Sequence, residues 1–271
     1  MIYCNEEKLK QANNWSDNSI HILTDFDRTI TRGNSPSSWS LIAKSNLLPD
    51  GYIEERNKLF DYYRPIEIDE AIEAAKKNKL MTEWWIKHIN LLIKYKLSKD
   101  TLEKTIANSN LMIFRAGAKK FLENMAKRNI PVIIISAGIG NFIIHFLEIN
   151  KCNFKNIYII SNFLEFKDNL ATGISNKVIH SFNKNETALP PEIKELIKDR
   201  RNIILFGDSV SDIKMITDTE NTNVLKIGFL EENIEQNLPF FKEAFDVIST
   251  NNTSFDELSN RISILKKQIE N

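Results

Sequence analysis

Four short apolar runs that end on a polar residue limit the folds open to this chain. They are IHILTD (20–25), PVIIIS (131–136), NIYIIS (156–161) and NIILFGD (202–208). Their apolar residues do not alternate with polar ones, which is typical of parallel strands buried on both faces. Helical patterns lie between them, for instance over 117–129 and 138–149. The chain is therefore predicted to form an α/β fold with a doubly wound, Rossmann-like parallel sheet.

The interval between the first two predicted strands is too long for an ordinary loop. It holds four helix-like segments, at 36–47, 50–62, 68–95 and 98–107. The turn-rich stretches RGNSPSS and ANSN bound it on either side. We therefore expect a helical cap domain over 33–111, inserted into a core domain formed by 1–32 and 112–271.

Two further elements are predicted outside the main sheet. A β-hairpin is expected near 163–182, and a packing helix over 254–269. Ser254 and Glu257, three residues apart, form the pattern of a capping box at the start of that helix.

Composition and charge exclude several classes of protein. The chain has 36 basic and 36 acidic residues and no dense basic stretch, so binding to a nucleic acid polymer is not expected. The longest apolar runs are the length of a strand and too short to cross a bilayer. The polar N-terminus is unlike a signal peptide. A cytoplasmic protein without membrane contact, a monomer or a weak homo-oligomer, is expected.

Two acids follow the first predicted strand directly. Asp25 and Asp27 are two residues apart, so the strand end and its turn can direct both carboxylates into one cleft. Oxygen ligands of this kind suit Mg²⁺, which also binds substrate phosphates. The alternative is that both acids cap local N–H groups in a turn.

Three more polar positions follow strands, and each has a structural alternative. Asp208 could complete a Mg²⁺ shell and Asp212 could hold the ion through a water, or Asp208 could be the N-cap of a helix over 209–217. Ser136 could bind an anion at a helix N-terminus, or be an ordinary N-cap serine. Lys184, in IHSFNKNE, is by default a surface lysine.

The order of these motifs resembles that of the haloacid dehalogenase superfamily of phosphohydrolases. Strand–DxDxT, strand–Ser, Lys and strand–GDxxxD occur here in that order, with a cap inserted after the first motif. Further stretches are similar to the cytosolic pyrimidine 5′-nucleotidase family: TDFDRTIT, YYRPIEID, EWW, IPVIIISAGIG, IHSFNKNE and NIILFGDSVSDIKM. The resemblance runs from about residue 20 to the tail. It implies a haloacid dehalogenase-like fold and a Mg²⁺-dependent 5′-nucleotidase that acts through an aspartyl-phosphate.

The resemblance also implies roles for individual residues. It assigns Asp25 as nucleophile and Asp27 as general acid and base. The Mg²⁺ ligands would be Asp25, Asp208 and the backbone carbonyl of Asp27. The phosphate-binding positions would be Ser136, Ala137 and Lys184, and Glu67 would be the cap acid that recognises the nucleobase edge. Two positions depart from the family pattern. His88 stands where the family commonly has Ser, and Trp39 falls near the family's base-contacting aromatic residue.

Other interpretations remain open at this point. Trp39 could stack on the base or be a core aromatic of the cap, and Trp84 and Trp85 are expected to be packing residues. The substrate could be CMP, UMP or 7-methyl-GMP, or the chain could be a phosphatase of another small phosphate ester. A catalytically silent nucleotide-binding module is a further alternative, which the complete motif set disfavours.

Overall fold

The computed structural model describes residues 1–69, 71–107, 110–218 and 220–266. Over these residues the chain forms one seven-stranded sheet, one two-stranded hairpin and a set of α-helices. The strands are β1 (Ile2–Cys4), β2 (Ile20–Thr24), β3 (Val132–Ile139), β4 (Ile157–Asn162), β5 (Leu164–Lys167), β6 (Leu170–Ile174), β7 (Asn202–Gly207), β8 (Asn223–Leu230) and β9 (Val247–Thr250). The helices are α1 (Glu6–Asn13), α2 (Ser38–Lys44), α3 (Tyr52–Ile68), α4 (Ala74–Lys94), α5 (Lys99–Ala107), α6 (Ala118–Lys127), α7 (Gly140–Ile149), α8 (Pro191–Ile197), α9 (Ile234–Ala244), α10 (Phe255–Arg261) and α11 (Ser263–Lys266).

The main sheet is doubly wound, with strand order β1-β9-β8-β7-β2-β3-β4. All neighbouring pairs are parallel except β1 with β9. From β2 the chain proceeds in one direction to β3 and β4, and it returns on the other side of β2 through β7, β8 and β9. Ligands of such sheets bind where the strand order reverses, outside the carboxyl ends of the strands. Here that position lies at the ends of β2 and β7.

Apolar side chains cover both faces of this sheet. Alternate residues of the central strands belong to two separate clusters: Ile22 and Ile134 lie in the larger one, Leu23 and Ile133 in the smaller. Both faces of the strands are thus buried, which explains why their sequences are continuously apolar. The predicted α/β class and parallel sheet are confirmed.

Helices α2 to α6 lie between β2 and β3, and α2 to α5 fall within residues 33–111. Trp39 of α2 and Leu92 of α4 belong to the same apolar cluster as the sheet, so the insert packs directly on the core. A small cluster of Tyr63, Met81 and Trp84 holds α3 against α4. The insert therefore has both a packing unit of its own and a continuous apolar contact with the sheet.

Helix α4 is 21 residues long and amphipathic. It buries Met81, Trp84 and Leu92 and exposes Ile86 among charged neighbours. Nowhere in the described chain is a helix both long and apolar enough to cross a membrane.

The four strands predicted from apolar runs are confirmed, but three others are missing from the sequence interpretation. These are β1, β8 and β9. β8 has the sequence NVLKIGFL, in which Asn, Lys and Gly interrupt the apolar run, and the other two have three and four residues. A short or interrupted run carries little periodic signal, so sheet pairing rather than local pattern defines these strands.

Several helix predictions need correction. The helix expected over 138–149 begins at Gly140, because β3 continues through Ile139. The segment expected as a helix over 209–217 is a short 3₁₀ helix, Val210–Met215. The tail helix breaks at Ile262 into α10 and α11, and residues 267–269 lie outside the described residues. So do residues 108 and 109 of the predicted ANSN boundary.

The predicted capping box at Ser254 is confirmed, and its loss should destabilise the fold. Ser254 Oγ accepts the N–H of Glu257 at 3.1 Å, while Glu257 Oε2 accepts the N–H of Ser254 at 2.7 Å. Because α10 buries Phe255 and Leu258 in the core, we expect Ser254→Ala to lower the free energy of unfolding by about 1 kcal/mol. Urea denaturation measures this. Ser259→Ala is the control, because the Ser259 hydroxyl donates to the carbonyl of Phe255 within the same helix. Equal effects of the two changes would contradict the role of the cap.

Candidate active site

The carboxyl ends of β2 and β7 bring two predicted acids together. Thr24 pairs with Phe206 in the sheet, and the N–H of Asp25 donates to the carbonyl of Phe206 at 3.0 Å. Asp25 therefore begins the loop after β2, and Asp208 begins the loop after β7. Both residues line the same cavity.

Lys184 lies between two of the acids. Its ammonium Nζ is 2.7 Å from Asp25 Oδ1 and 2.6 Å from Asp212 Oδ1. Burial alone would lower the pKa of Lys184, but Asp212 and Asp25 outweigh it and raise the pKa above the usual lysine value. Lys184 is buried rather than a surface lysine, so it serves as a permanent positive charge in the cleft.

Asp212 is completely buried and is held by the backbone of its own loop. Its Oδ2 accepts the N–H groups of Asp208 and Ser209, each at 3.0 Å. The N-cap of the 3₁₀ helix is Ser209, so the alternative that Asp208 caps it is wrong. A Cβ on Gly207 would come within 2.4 Å of Asp212 Oδ2, so the absence of a side chain there makes room for this carboxylate.

Asp27 is half-buried, and its environment favours a proton. Burial, followed by the charge of Asp25, raises the pKa of Asp27 to about 7. Its Oδ1 has no hydrogen-bond partner among the described residues, while the backbone N–H of Ser38 donates to the carboxyl group. A carboxyl that holds its proton near neutral pH and presents a free oxygen to the cleft is suited to general acid catalysis.

The acids outnumber the cations in this cleft. Burial, opposed by Lys184, raises the pKa of Asp25 to about 6, and burial with the charges of Asp212 and Asp25 raises that of Asp208 well above its ordinary value. Four acids thus face the ammonium of Lys184 and the guanidinium of Arg28, and a divalent cation with oxygen preference would offset the excess negative charge. Among the residues described, no three acidic, His or Cys side chains converge as a metal cluster. Two carboxylates and one main-chain carbonyl, the set that the resemblance implies, require no such cluster.

Ser136 and its neighbours form a compact loop at the end of β3. The N–H of Gly138 donates to Ser136 Oγ at 3.0 Å, and the N–H of Ile139 donates to Ser38 Oγ at 3.0 Å. Because β3 continues to Ile139 and α7 starts at Gly140, Ser136 is not an N-cap, and that alternative is wrong. A Cβ on Gly138 would lie 2.7 Å from Ser38 Oγ, 3.1 Å from Ser136 Oγ and 3.3 Å from Asp27 Oδ2.

Two residues that the sequence interpretation missed hold this loop from β4. Ser161 Oγ donates to the carbonyl of Gly138 at 2.9 Å, and Asn162 Nδ2 donates to the carbonyl of Ala137 at 3.0 Å. Ser161 ends a predicted strand and Asn162 follows it directly. Polar residues at the ends of the other predicted strands were site candidates, so the same criterion could have found these two.

Arg115 was also missed, and it supports the turn that carries the first two acids. Its guanidinium is buried, donates to the carbonyls of Thr29 (2.9 Å) and Arg28, and forms an ion pair with Glu231. It also lies 3.9 Å over the ring of Phe229. Nothing in the local sequence distinguishes Arg115 from other arginines, because all of its partners are distant in the chain.

An aromatic cavity of about 230 Å³ opens beside the acids. Its walls are formed by Asp25, Asp27, Arg28, Ser37, Trp39, Ser40, Arg56, Phe60, Trp84, Trp85, His88, Ser136, Ala137, Gly138 and Asp208. One end is therefore polar, with three acids beside Ser136, and the other is built largely from flat rings contributed by the inserted helices.

Trp39 and His88 both line this cavity. Their rings are 4.6 Å apart at a tilt of 32°, and the hydroxyl of Tyr52 lies 3.1 Å from His88 Nε2. Burial lowers the pKa of His88 to about 3, so its imidazole is neutral. Trp39 is also packed in the core, so the two alternatives for it are compatible. Trp84 packs on Tyr63 as expected of a packing residue, yet it too lines the cavity.

Glu67 lies in a different place from Trp39. Its Oε1 accepts the hydroxyl of Ser181 at 2.8 Å, and its Oε2 pairs with Arg64. It lines a neighbouring polar cavity that reaches Lys184 and Asp212 and is absent from the walls of the aromatic cavity. Its contact with the base edge stays a prediction.

Comparison with known proteins places this geometry in a family. The family model described as Pyrimidine 5′-nucleotidase (UMPH-1) matches residues 6–266. The chain belongs to this family. A 7-methylguanosine phosphate-specific 5′-nucleotidase of Drosophila melanogaster is 33% identical over 258 residues, covering 92% of this chain and 81% of the relative. The protein of the same name from Homo sapiens is 31% identical over 245 residues, covering 88% and 81%.

Solved structures agree with the family at the level of fold. The crystal structure of cytosolic 5′-nucleotidase IIIB bound to cytidine superposes with a TM-score of 0.87 at 28% identity, covering 98% of this chain and 93% of that one. A substrate-bound phosphoserine phosphatase, at 22% identity and a TM-score of 0.56, shares the fold. This pyrimidine 5′-nucleotidase family member is thus a phosphoric monoester hydrolase with the haloacid dehalogenase fold.

The lack of space for a side chain at Gly138 provides a test of the site. Gly138→Ala should lower kcat/KM by about 10²-fold or more, because the new methyl would displace Ser38, Ser136 and Asp27 together. Phosphate release and the melting temperature are measured side by side. Gly173→Ala is the matched control, since its nearest neighbour, Glu165 Oε2 at 3.6 Å, is at ordinary contact distance. Full activity in Gly138→Ala would show that this loop does not form a wall of the site around the reacting group.

Proposed function

We propose that this chain hydrolyses nucleoside 5′-monophosphates to nucleoside and phosphate through an aspartyl-phosphate. The observation that carries the proposal is the position of Lys184 between Asp25 and Asp212, with Asp25 and the protonatable Asp27 both lining the aromatic cavity. Family membership supports the same reaction.

Asp25 is the proposed nucleophile. Its carboxylate attacks phosphorus, a P–O bond to Asp25 forms, and the bond from phosphorus to the ribose 5′-oxygen breaks. Lys184, 2.7 Å away, keeps Asp25 ionised in the presence of the other acids and attracts the phosphate. Ser136 Oγ lies on the same edge of the sheet, where it can donate to a phosphate oxygen.

Asp27 is the proposed general acid and base. Its raised pKa keeps a proton available, and the unpartnered Oδ1 can deliver that proton to the departing 5′-oxygen. The resulting carboxylate then takes a proton from the water that attacks the aspartyl-phosphate, which releases phosphate and regenerates Asp25. One carboxyl group thus serves both half-reactions.

Mg²⁺ is the proposed cofactor. The carboxylates of Asp25 and Asp208 and the carbonyl of Asp27 would hold it, while Asp212 is already engaged by Lys184 and two backbone N–H groups. Bound there, the ion would neutralise negative charge on the phosphate and on the acids.

The base is proposed to lie in the aromatic cavity. We propose that residues 33–111 act as a cap, with Trp39 stacking on the base and His88 supporting it as a neutral ring. Aromatic faces attract cationic rings, which favours 7-methylguanine over guanine, and the names of the curated relatives support that substrate. Flat, uncharged pyrimidines also fit stacking. The name of the cytosolic 5′-nucleotidase IIIB structure supports a cytoplasmic location.

A panel of nucleoside 5′-monophosphates tests the proposal. We expect phosphate release from CMP, UMP and 7-methyl-GMP, with kcat/KM for 7-methyl-GMP about tenfold above that for GMP because of the ring charge. EDTA should abolish release, and Mg²⁺ should restore it. Equal rates for GMP and 7-methyl-GMP would reject the cation preference, and activity that survives exhaustive chelation would reject the metal.

The covalent step has its own test. Asp25→Asn should abolish phosphate release, because an amide cannot attack phosphorus and form the acyl-phosphate. Wild-type enzyme quenched in acid during turnover of labelled nucleotide should carry label on the peptide that contains Asp25. Asp218→Asn, at an exposed acid away from the cleft, should keep the label and the activity. Labelling of the Asp25→Asn variant would place the nucleophile elsewhere.

A further inference from the structure

Helix α4 makes polar contacts with two loops of the active site. Thr82 and Trp85, three residues apart, lie on the same face of the helix. Thr82 Oγ1 is 3.0 Å from His180 Nε2, and Trp85 Nε1 donates to the carbonyl of Ala137 at 2.9 Å. Their partners belong to the loop that carries Lys184 and to the loop that carries Ser136.

The contact with Ala137 fixes the orientation of one peptide group. Its carbonyl accepts three N–H groups, from Trp39 (3.0 Å), Trp85 (2.9 Å) and Asn162 (3.0 Å). The N–H at the other end of the same peptide, that of Gly138, donates to Ser136 Oγ. Because a peptide unit is planar, fixing the carbonyl also fixes the direction of the N–H that holds the serine hydroxyl.

The contact with His180 organises the turn that leads to Lys184. Thr82 donates to the carbonyl of Asn78, so its oxygen accepts the Nε2–H of His180, and Nδ1 in turn accepts the N–H of Phe182 at 3.2 Å. Burial lowers the pKa of His180 to about 4, which keeps this tautomer neutral. The carbonyl of His180 accepts the N–H of Lys184 at 3.2 Å. A chain of hydrogen bonds thus connects α4 with the backbone of Lys184.

We infer that Thr82 and Trp85 are positioning residues that couple the placement of α4 to the phosphate-binding loop and to Lys184. Thr82 acts through His180, and Trp85 acts through the carbonyl of Ala137. The expected effect of these residues on turnover rests on the proposed function. Their expected effect on the two loops does not, because it can be measured without substrate.

Thr82→Val removes the hydroxyl at nearly constant volume. We expect kcat to fall about threefold to tenfold, the effect of one hydrogen bond, by the same factor for the best nucleotide and for p-nitrophenyl phosphate. KM for the nucleotide should change less than about twofold, because Thr82 lies outside the walls of the aromatic cavity. Thr105→Val is the matched control, since Thr105 is a buried threonine of the insert whose hydroxyl donates to the carbonyl of Thr101 within its own helix. It should leave kcat within about twofold.

Hydrogen exchange without substrate gives the second readout. In Thr82→Val the amide of Lys184 should exchange about threefold or more faster than in wild type, while Thr105→Val leaves it unchanged. If either kcat or this exchange rate remains at the wild-type value in Thr82→Val, the role of Thr82 is overturned. If the wild type hydrolyses no nucleotide, the proposed function is rejected. The exchange rate of the Lys184 amide would even then show whether Thr82 couples α4 to the loop of Lys184.

Trp85→Phe retains a ring and removes the N–H donor. We expect faster exchange of the Gly138 amide and a kcat for p-nitrophenyl phosphate that is about threefold to tenfold lower. This substrate has no nucleobase, so the loss cannot come from a contact with the base. A rise in KM for nucleotides alone, with unchanged turnover of p-nitrophenyl phosphate, would make Trp85 a base contact and overturn its positioning role.

Discussion

The ion pairs of Lys184 are the interaction on which the rest of the site depends. The Lys184 ammonium lies 2.7 Å from the carboxylate of Asp25 and 2.6 Å from that of Asp212. These two acids come from loops that follow different strands. Without this ammonium, two buried acids (Asp25 and Asp212) and two half-buried ones (Asp27 and Asp208) would share the cleft with Arg28, whose charge acts on Asp27 and Asp208. Removing one partner of a buried ion pair leaves the other charge uncompensated, which is far more costly than the net stabilisation by the pair.

Two glycines allow the polar groups of the site to lie so close together, because neither has a side chain where the backbone contacts them. Gly207 leaves room for the Asp212 carboxylate, and Gly138 leaves room for Asp27 and two serine hydroxyls. The topology contributes the rest, since the strand order reverses between β2 and β7 and the loops after both strands meet there. The inserted helices then add aromatic walls next to the charged end.

Sequence reasoning predicted the parts of this site that follow strands. Asp25, Ser136 and Asp208 stand out because a polar residue after a long apolar run is a local pattern, and parallel strands bring such ends to one edge. The same reasoning could not find Arg115 or Ser38, whose partners are more than 80 residues away in the chain. It also missed β8 and β9, where pairing with neighbours defines the strand. It placed Glu67 in the cap, but the orientation of that side chain toward Ser181 depends on tertiary packing.

We propose that the folded site carries excess negative charge, which a divalent cation would offset. The melting temperature of wild type and of Asp208→Asn, with EDTA and with Mg²⁺ at pH 7, tests it most directly. A pKa of Asp208 raised by folding means that the folded state disfavours its carboxylate, so the neutral amide should raise the melting temperature in EDTA. Mg²⁺ should then stabilise wild type and leave Asp208→Asn nearly unchanged. A variant that melts below wild type in EDTA and gains the same stabilisation from Mg²⁺ would contradict the account.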